Sequence, residues 1–156
     1  MKRKLLTLTV IHDGEKILLG KKKRGYATGV WNGYGGKVEE GESVEAAMIR
    51  ELYEESGLTA TNHEKVAHIT FTSDIEDYIS DCHIYKIHSY DGDLIETEEM
   101  LPQWFGFSEI PYQEMWPDDI HWLPKVLDGK KVRGHFSLNG HNQIESFELE
   151  EVEAFG

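Results

Sequence analysis

Residues 36–58 read Gly36-Lys-Val-Glu-Glu-Gly-Glu-Ser-Val-Glu-Ala-Ala-Met-Ile-Arg-Glu-Leu-Tyr-Glu-Glu-Ser-Gly-Leu58. Ser43 is a good N-cap and Gly57 a left-handed stop, so the spacing predicts a helix running to about Ser56. Val44, Ala47, Met48 and Leu52 recur at three- and four-residue steps and make one apolar stripe for a core. Glu51, Glu54 and Glu55 stand at i, i+3 and i+4, so three carboxylates converge beside that stripe. Like charges so placed repel by about 0.2–0.5 kcal/mol per pair, and something must compensate. The bland reading is a solvated acidic face. The sharp reading is a hard-cation site, because oxygen ligands without histidine or thiolate suit magnesium or manganese rather than zinc. A glycine-dense approach (Gly25, Gly29, Gly33, Gly35, Gly36, Gly41) and an internal cation, Arg50 beside Glu51, bring the two readings level.

Upstream of this helix, residues 4–11 and 16–22 are β-rich runs around the turn signal Asp13-Gly14, which predicts a hairpin. The glycine-dense stretch is expected to be loop, neither strand nor helix interior. Downstream, strands are expected over about 65–72, 77–88 and 100–107. Pro117 then precedes Asp118, a cap for a second helix that runs to about Leu127 and ends at Asp128-Gly129. Residues 132–138 and 143–152 predict a closing hairpin across Asn139-Gly140. Strands outnumber helices in mixed order, so the class is α+β, a mixed sheet flanked by helices.

The 156 residues fit one domain, 1–156, with a single core. Hydrophobic residues at 39% lie in the globular range, and no stretch reaches the apolar length of a membrane-spanning helix. The basic start and the run from Leu5 to Ile11 imitate a signal peptide. Thr7 and Thr9 interrupt that run and no small-residue cleavage site follows, so it reads as a first strand. Cys82 is the only cysteine, which excludes an internal disulfide and fits the cytosol. Sixteen Lys and Arg against 29 Asp and Glu give a net charge of −13, which repels nucleic-acid backbones. The expectation is a soluble cytoplasmic monomer that takes a small molecule and binds neither nucleic acid nor membrane.

The helix segment resembles the signature of the Nudix family at every defined position: Gly36, Glu42, Arg50-Glu51, Leu52, Glu54-Glu55, Gly57 and Leu58. The resemblance implies a Nudix fold, a mixed β-sheet sandwiched between α-helices, and a Mg2+-dependent hydrolase of a nucleoside triphosphate, with Mn2+ as the alternative ion. Metal ligands are implied at Glu51, Glu54 and Glu55, at a backbone carbonyl of the Gly35-Gly36 turn, and at Glu99 from a later loop. Arg50 orients a glutamate, and Lys37 lies beside the substrate with Gly35 and Gly36. Metal ions neutralise phosphate oxygens and lower the pKa of a bound water, and a carboxylate at the metal's edge takes the proton. Either Glu51 or Glu54 fits that role.

Three further blocks, Lys21-Lys-Lys-Arg-Gly25, Trp31-Asn-Gly-Tyr-Gly-Gly-Lys-Val38 and Met115-Trp-Pro-Asp-Asp119, resemble one branch of the family. That branch, of mammalian type, cuts 8-oxo-dGTP and 2-hydroxy-dATP to the nucleoside monophosphate and pyrophosphate and so cleans the nucleotide pool. The resemblance implies Asn32, Asp118 and Asp119 on the edge of the purine and Trp116, followed by Pro117, over its face. Thr7, Lys22, Tyr26 and Phe71 are implied in the same cleft. Alone, Asp118 reads as a helix cap, Trp116 and Phe71 as core, and Lys22 as a solvated strand charge. Two adjacent aspartates in a partly closed pocket cannot both ionise cheaply, so one donates a hydrogen bond where its neighbour accepts. Ser73 and Ser80 depart from the branch, which implies large apolar residues there; they widen or wet the pocket and keep a methylated purine triphosphate open. The rivals are a Nudix hydrolase of another diphosphate, such as ADP-ribose or a dinucleotide polyphosphate, and a binding module that has lost catalysis. A calcium sensor fails, because the acidic positions lie on a helix and not in an EF-hand loop.

Overall fold

The computed structural model describes residues 2–155. In chain order its strands are β1 (Lys2–His12), β2 (Lys16–Lys22), β3 (Trp31–Asn32), β4 (Gly35–Lys37), β5 (Thr59–Ser73), β6 (Tyr78–Asp91), β7 (Met100–Gly106), β8 (Lys131–Leu138) and β9 (Ile144–Val152). The helices are α1 (Val44–Ser56) and α2 (Asp119–Leu127). The strands join in the order β3-β2-β1-β6-β5-β8-β9, with β4 paired to β1 and β7 to β2. β1 runs parallel to β6 and β5 parallel to β8, whereas β5 and β6 are antiparallel, so the sheet is mixed as the α+β reading requires. Among the described residues no helix is long and apolar enough to cross a membrane.

Strand alternation splits the core in two. Val10, Ile17, Leu19 and Ile84 face a cluster that Trp122, Leu123 and Val126 of α2 complete. Their neighbours Ile11, Leu18, Tyr85 and Ile87 face Met48 and Leu52 of α1. The helices therefore lie on opposite faces of the sheet, which is the expected sandwich. Cys82 is buried on the α2 side, and burial pushes its thiol pKa up.

α1 follows the local code. Ser43 Oγ accepts from Ala46 N at 3.1 Å, and Gly57 ends the helix at φ 81°, with its N–H on Tyr53 O. Ala47, Met48 and Leu52 are fully buried, while Val44 packs at the cluster's edge. Burying Met48 and Leu52 contributes about 1.5–3 kcal/mol each, which outweighs the glutamate repulsion on the adjoining face.

Elsewhere the structure corrects the expectations. The hairpin of β1 and β2 is joined only at Ile11 with Leu18 and His12 with Ile17, because most of β1 pairs with β6 and β4 instead. The glycine-dense stretch, expected to hold no strand, contains β3 and β4. Gly35 makes this possible: a Cβ there would lie 2.0 Å from Thr7 O, so only a bare backbone can lie so close to β1. β5 begins before residue 65 and β6 ends beyond residue 88, with register slips near Ala60, Asn62 and Val66 that break the two-residue periodicity. Asp118 precedes α2 but makes no side-chain cap bond. The closing hairpin turns over residues 139–143, with positive φ at Asn142 rather than at Gly140.

Candidate active site

β4 and α1 together build an acidic site. Gly36 lies opposite Thr7 on β1, and a Cβ on it would come within 2.5 Å of Glu51 Cδ, so its bare backbone leaves the space that this carboxylate fills. Arg50 holds the array. Its Nε donates to Glu42 Oε2 at 2.7 Å and its Nη2 to Glu42 Oε1 at 2.9 Å, a two-point grip. Its Nη1 donates to Glu51 Oε1 at 2.9 Å and to Glu54 Oε2 at 3.4 Å, and Nη2 also reaches Lys37 O at 3.2 Å. The Arg50 hydrogen bond holds the Glu42 carboxyl down at about 2.

Of the remaining acids Glu55 has no cation on it, only a backbone N–H. Burial pushes Glu55 up to about 7, even though its Oε1 accepts from Gly35 N at 3.0 Å. The charges of Glu51 and Glu99 raise it further, and Lys22 opposes them. Burial also raises Glu51, with Arg50 opposing. Glu99 is gripped by Arg24, at 2.8 Å from Nε and 2.7 Å from Nη2. Two polar atoms nearby, Thr7 Oγ1 and Tyr34 OH, are buried without a partner. All-oxygen donors gathered here, with the carboxyls of Glu51 and Glu55 both raised by burial, fit a hard divalent cation.

The α2 side gathers a different set. Asp118 and Asp119 are buried, at 7% and 3% exposure. Asp118 Oδ2 accepts from Trp122 Nε1 at 2.8 Å, whereas Asp119 Oδ2 has no partner. Burial, and then the charge of Asp118, push the Asp119 carboxyl well above the usual range; burial raises Asp118 as well, against the Trp122 bond. Trp116 stands just before α2 with the Tyr26 ring 6.0 Å away, and Tyr26 OH accepts from Asn142 Nδ2 at 3.3 Å. Phe71 packs on Phe136 in the α2-side core; Ser80 is its cross-strand partner and Ser73 pairs with Leu138. Asn32 is not brought to this set: it pairs with Gly20 one residue after the core-facing Trp31, so alternation turns it toward the α1 face, where its Oδ1 accepts from Gly33 N at 2.9 Å. Thr7 and Lys22 are not brought to this set: alternation along β1 and β2 turns both toward α1 and the glutamates.

The NUDIX domain model matches residues 2–126. The chain belongs to the Nudix family. Relatives within it include the oxidized purine nucleoside triphosphate hydrolase of Danio rerio, 46% identical over 150 residues and covering 96% of both chains. The protein of that name from Mus musculus is 44% identical over 152 residues, covering 97% of both. The Nudix fold is shared with a MutT protein from Bacillus halodurans whose crystal structure superposes with a TM-score of 0.84 at 24% identity, over 94% of this chain and 97% of that one. The family works with divalent metal, in agreement with the charge imbalance around Glu55.

Three residues of this Nudix site escaped the sequence reading. Trp122 anchors Asp118 from one helical turn on, and that i, i+4 spacing was a usable signal. Arg24 grips Glu99 and Tyr34 OH lies unpartnered without any local pattern to announce either.

Proposed function

We propose that this Nudix hydrolase cuts oxidised purine nucleoside triphosphates, 8-oxo-dGTP and 2-hydroxy-dATP, to the nucleoside monophosphate and pyrophosphate, with Mg2+ and with Mn2+ as a substitute. The observation that carries the reading is the buried, unequally partnered Asp118–Asp119 pair across the sheet from the glutamate array. Glu51, Glu54, Glu55 and Glu99, with a carbonyl of the Gly35-Gly36 turn, would hold the ion. Bound there, a divalent ion neutralises phosphate oxygens and lowers the pKa of a water. Glu51 or Glu54 would serve as the general base, and Arg50, anchored by Glu42, touches and orients both. Lys22 and Lys37 add positive charge on the phosphate side.

At the base, Asp119 is held neutral by burial and offers an O–H, while Asp118 keeps one oxygen on Trp122 and accepts with the other. Exchanging that proton between neighbours lets the pair meet both oxidised guanine and oxidised adenine edges. Trp116, with Pro117 and Tyr26, covers the ring, beside Phe71, and Asn32 adds an amide from β3 at the edge of the sheet. The working unit is residues 1–156: β8 and β9 lie beyond the family match yet complete the sheet. It acts as a cytosolic monomer on a small molecule.

A panel of normal, oxidised and N-methylated purine triphosphates with magnesium, scored for pyrophosphate and monophosphate, tests the reading. The expected result is kcat/KM at least about tenfold higher for the oxidised substrates than for dGTP and dATP, the scale of one well-placed hydrogen bond. Equal rates on normal and oxidised purines, or release of orthophosphate, overturn it.

A further inference from the structure

The α1-facing side of the sheet carries a second group of ligand side chains, separate from the glutamates. His68 on β5 and His83 on β6 are cross-strand partners, and Asp81 lies two residues before His83, so alternation sends all three to one face. One ligand atom from each lies within 4.8 Å of the other two, and among the described residues no other group of His, Cys, Asp and Glu side chains is so drawn together. Asp81 Oδ1 meets His68 Nε2 directly and lies 3.7 Å from His83 Nε2, and the two imidazoles stack at 4.3 Å. All three sit on paired strands, and the Asp81 and His83 side chains are only 11% and 14% exposed.

We propose that His68, Asp81 and His83 form a binding site for one first-row transition dication, zinc foremost, distinct from the hydrolytic metal site. Two imidazole nitrogens and one carboxylate oxygen are the donor set of such ions, whereas magnesium takes oxygen alone. Three protein ligands leave a fourth position for water, and the adjoining cavity lined by His68, Thr70, Arg133 and His135 gives room for it. His135 is no fourth ligand here, since both of its ring nitrogens are engaged, Nδ1 with Thr70 Oγ1 at 2.7 Å and Nε2 with Thr72 Oγ1 at 3.1 Å.

Beyond Arg133, the cross-strand partner of His68, two cations touch the other ligands and set the affinity. Arg3 Nη1 lies 3.6 Å from Asp81 Oδ2 and leaves Oδ1 to the site. Lys65 Nζ lies 2.9 Å from His83 Nδ1. An ion on Nε2 would place the ring proton on Nδ1, donor facing donor across that 2.9 Å, so Lys65 must withdraw. A side-chain carbonyl at position 65 would instead accept the Nδ1 proton, the usual outer partner of a ligating histidine. Lys65→Gln therefore tightens the site.

The full chain, in excess magnesium to fill the glutamate site, is titrated with zinc against a chromophoric chelator. Parallel titrations with cobalt follow its visible absorption, which is strong at four-coordinate nitrogen sites and weak at six-coordinate oxygen sites. Wild type should bind one equivalent that magnesium does not displace. His68→Ala and His83→Ala should each weaken it by more than about a hundredfold, beyond the loss of an outer partner alone. Lys65→Gln should strengthen it by about tenfold, and Glu54→Gln should leave it intact. Zinc retained by His68→Ala, or no magnesium-resistant equivalent in wild type, overturns the proposal. Thermal unfolding in chelator checks the fold of each variant. Should the histidine variants misfold, Lys65→Gln decides alone, and an unchanged or weaker affinity there overturns it.

Discussion

At the 2.5 Å between a Cβ on residue 36 and Glu51 Cδ, catalysis and stability come apart. Gly36→Ala meets only the end of a flexible side chain, so the fold accepts it by moving the carboxylate. A misplacement of about 1 Å costs about a hundredfold; steady-state kinetics should show that loss in kcat with an unfolding midpoint near wild type. Gly35→Ala behaves otherwise, because its Cβ would meet backbone, Thr7 O at 2.0 Å. It should cost about 1–3 kcal/mol of overpacking and lower the midpoint as well. Asp119 makes a pH prediction. Its folded pKa is raised above the unfolded value, so the stability it contributes is full below about pH 4, where the unfolded chain also holds the proton, and is lost as pH rises through the folded pKa. Asp119→Asn removes that loss, and its melting temperature should gain on wild type with rising pH. Parallel curves for the two proteins would contradict the assigned shift.

The two helices differ in how openly their sequences declare them. Ser43→Ala should cost about 1 kcal/mol in a denaturant titration through the Ala46 N–H it leaves bare, with kcat/KM unchanged. Trp122→Phe strips Asp118 Oδ2 of its donor, at about 1–3 kcal/mol. Because the lost bond held the Asp118 pKa down, the KM for oxidised purines should shift with pH in that variant and not in Ser43→Ala. α1 was legible because cap, stripe and stop all lie within fifteen residues or so of one another, at distances set by one helix. Asp118 misled because cap chemistry suits its position, and only the packed indole of Trp122 decides where the carboxylate turns. β3 and β4 were hidden for a related reason: their pairing depends on how near β2 and β1 come, which no glycine count reveals. The Arg24–Glu99 grip joins two loops far apart in sequence, and the three carboxylates of α1 could be placed on one side of a helix but not oriented there without Arg50's geometry.

For the molecule as a whole, the sheet reaches past the family match. β8 zips in parallel along β5 from Ala67 to Ser73, and Val132 and Phe136 are fully buried in the α2-side core. A chain cut after residue 126 should therefore lose its cooperative thermal transition, and wild-type turnover from that fragment would show that β8 and β9 are dispensable. The −13 net charge repels an anionic substrate, and Arg24 and Arg50 are already engaged by glutamates, so a divalent ion is what would reconcile this protein with phosphates. The single cysteine has a consequence of its own. Peroxide attacks thiolates, and Cys82 is shielded beneath α2 with its sulfur kept protonated. Chemistry harsh enough to oxidise purine bases thus finds this sulfur slow to form sulfenic acid, and the protein stays in service through an oxidative burst.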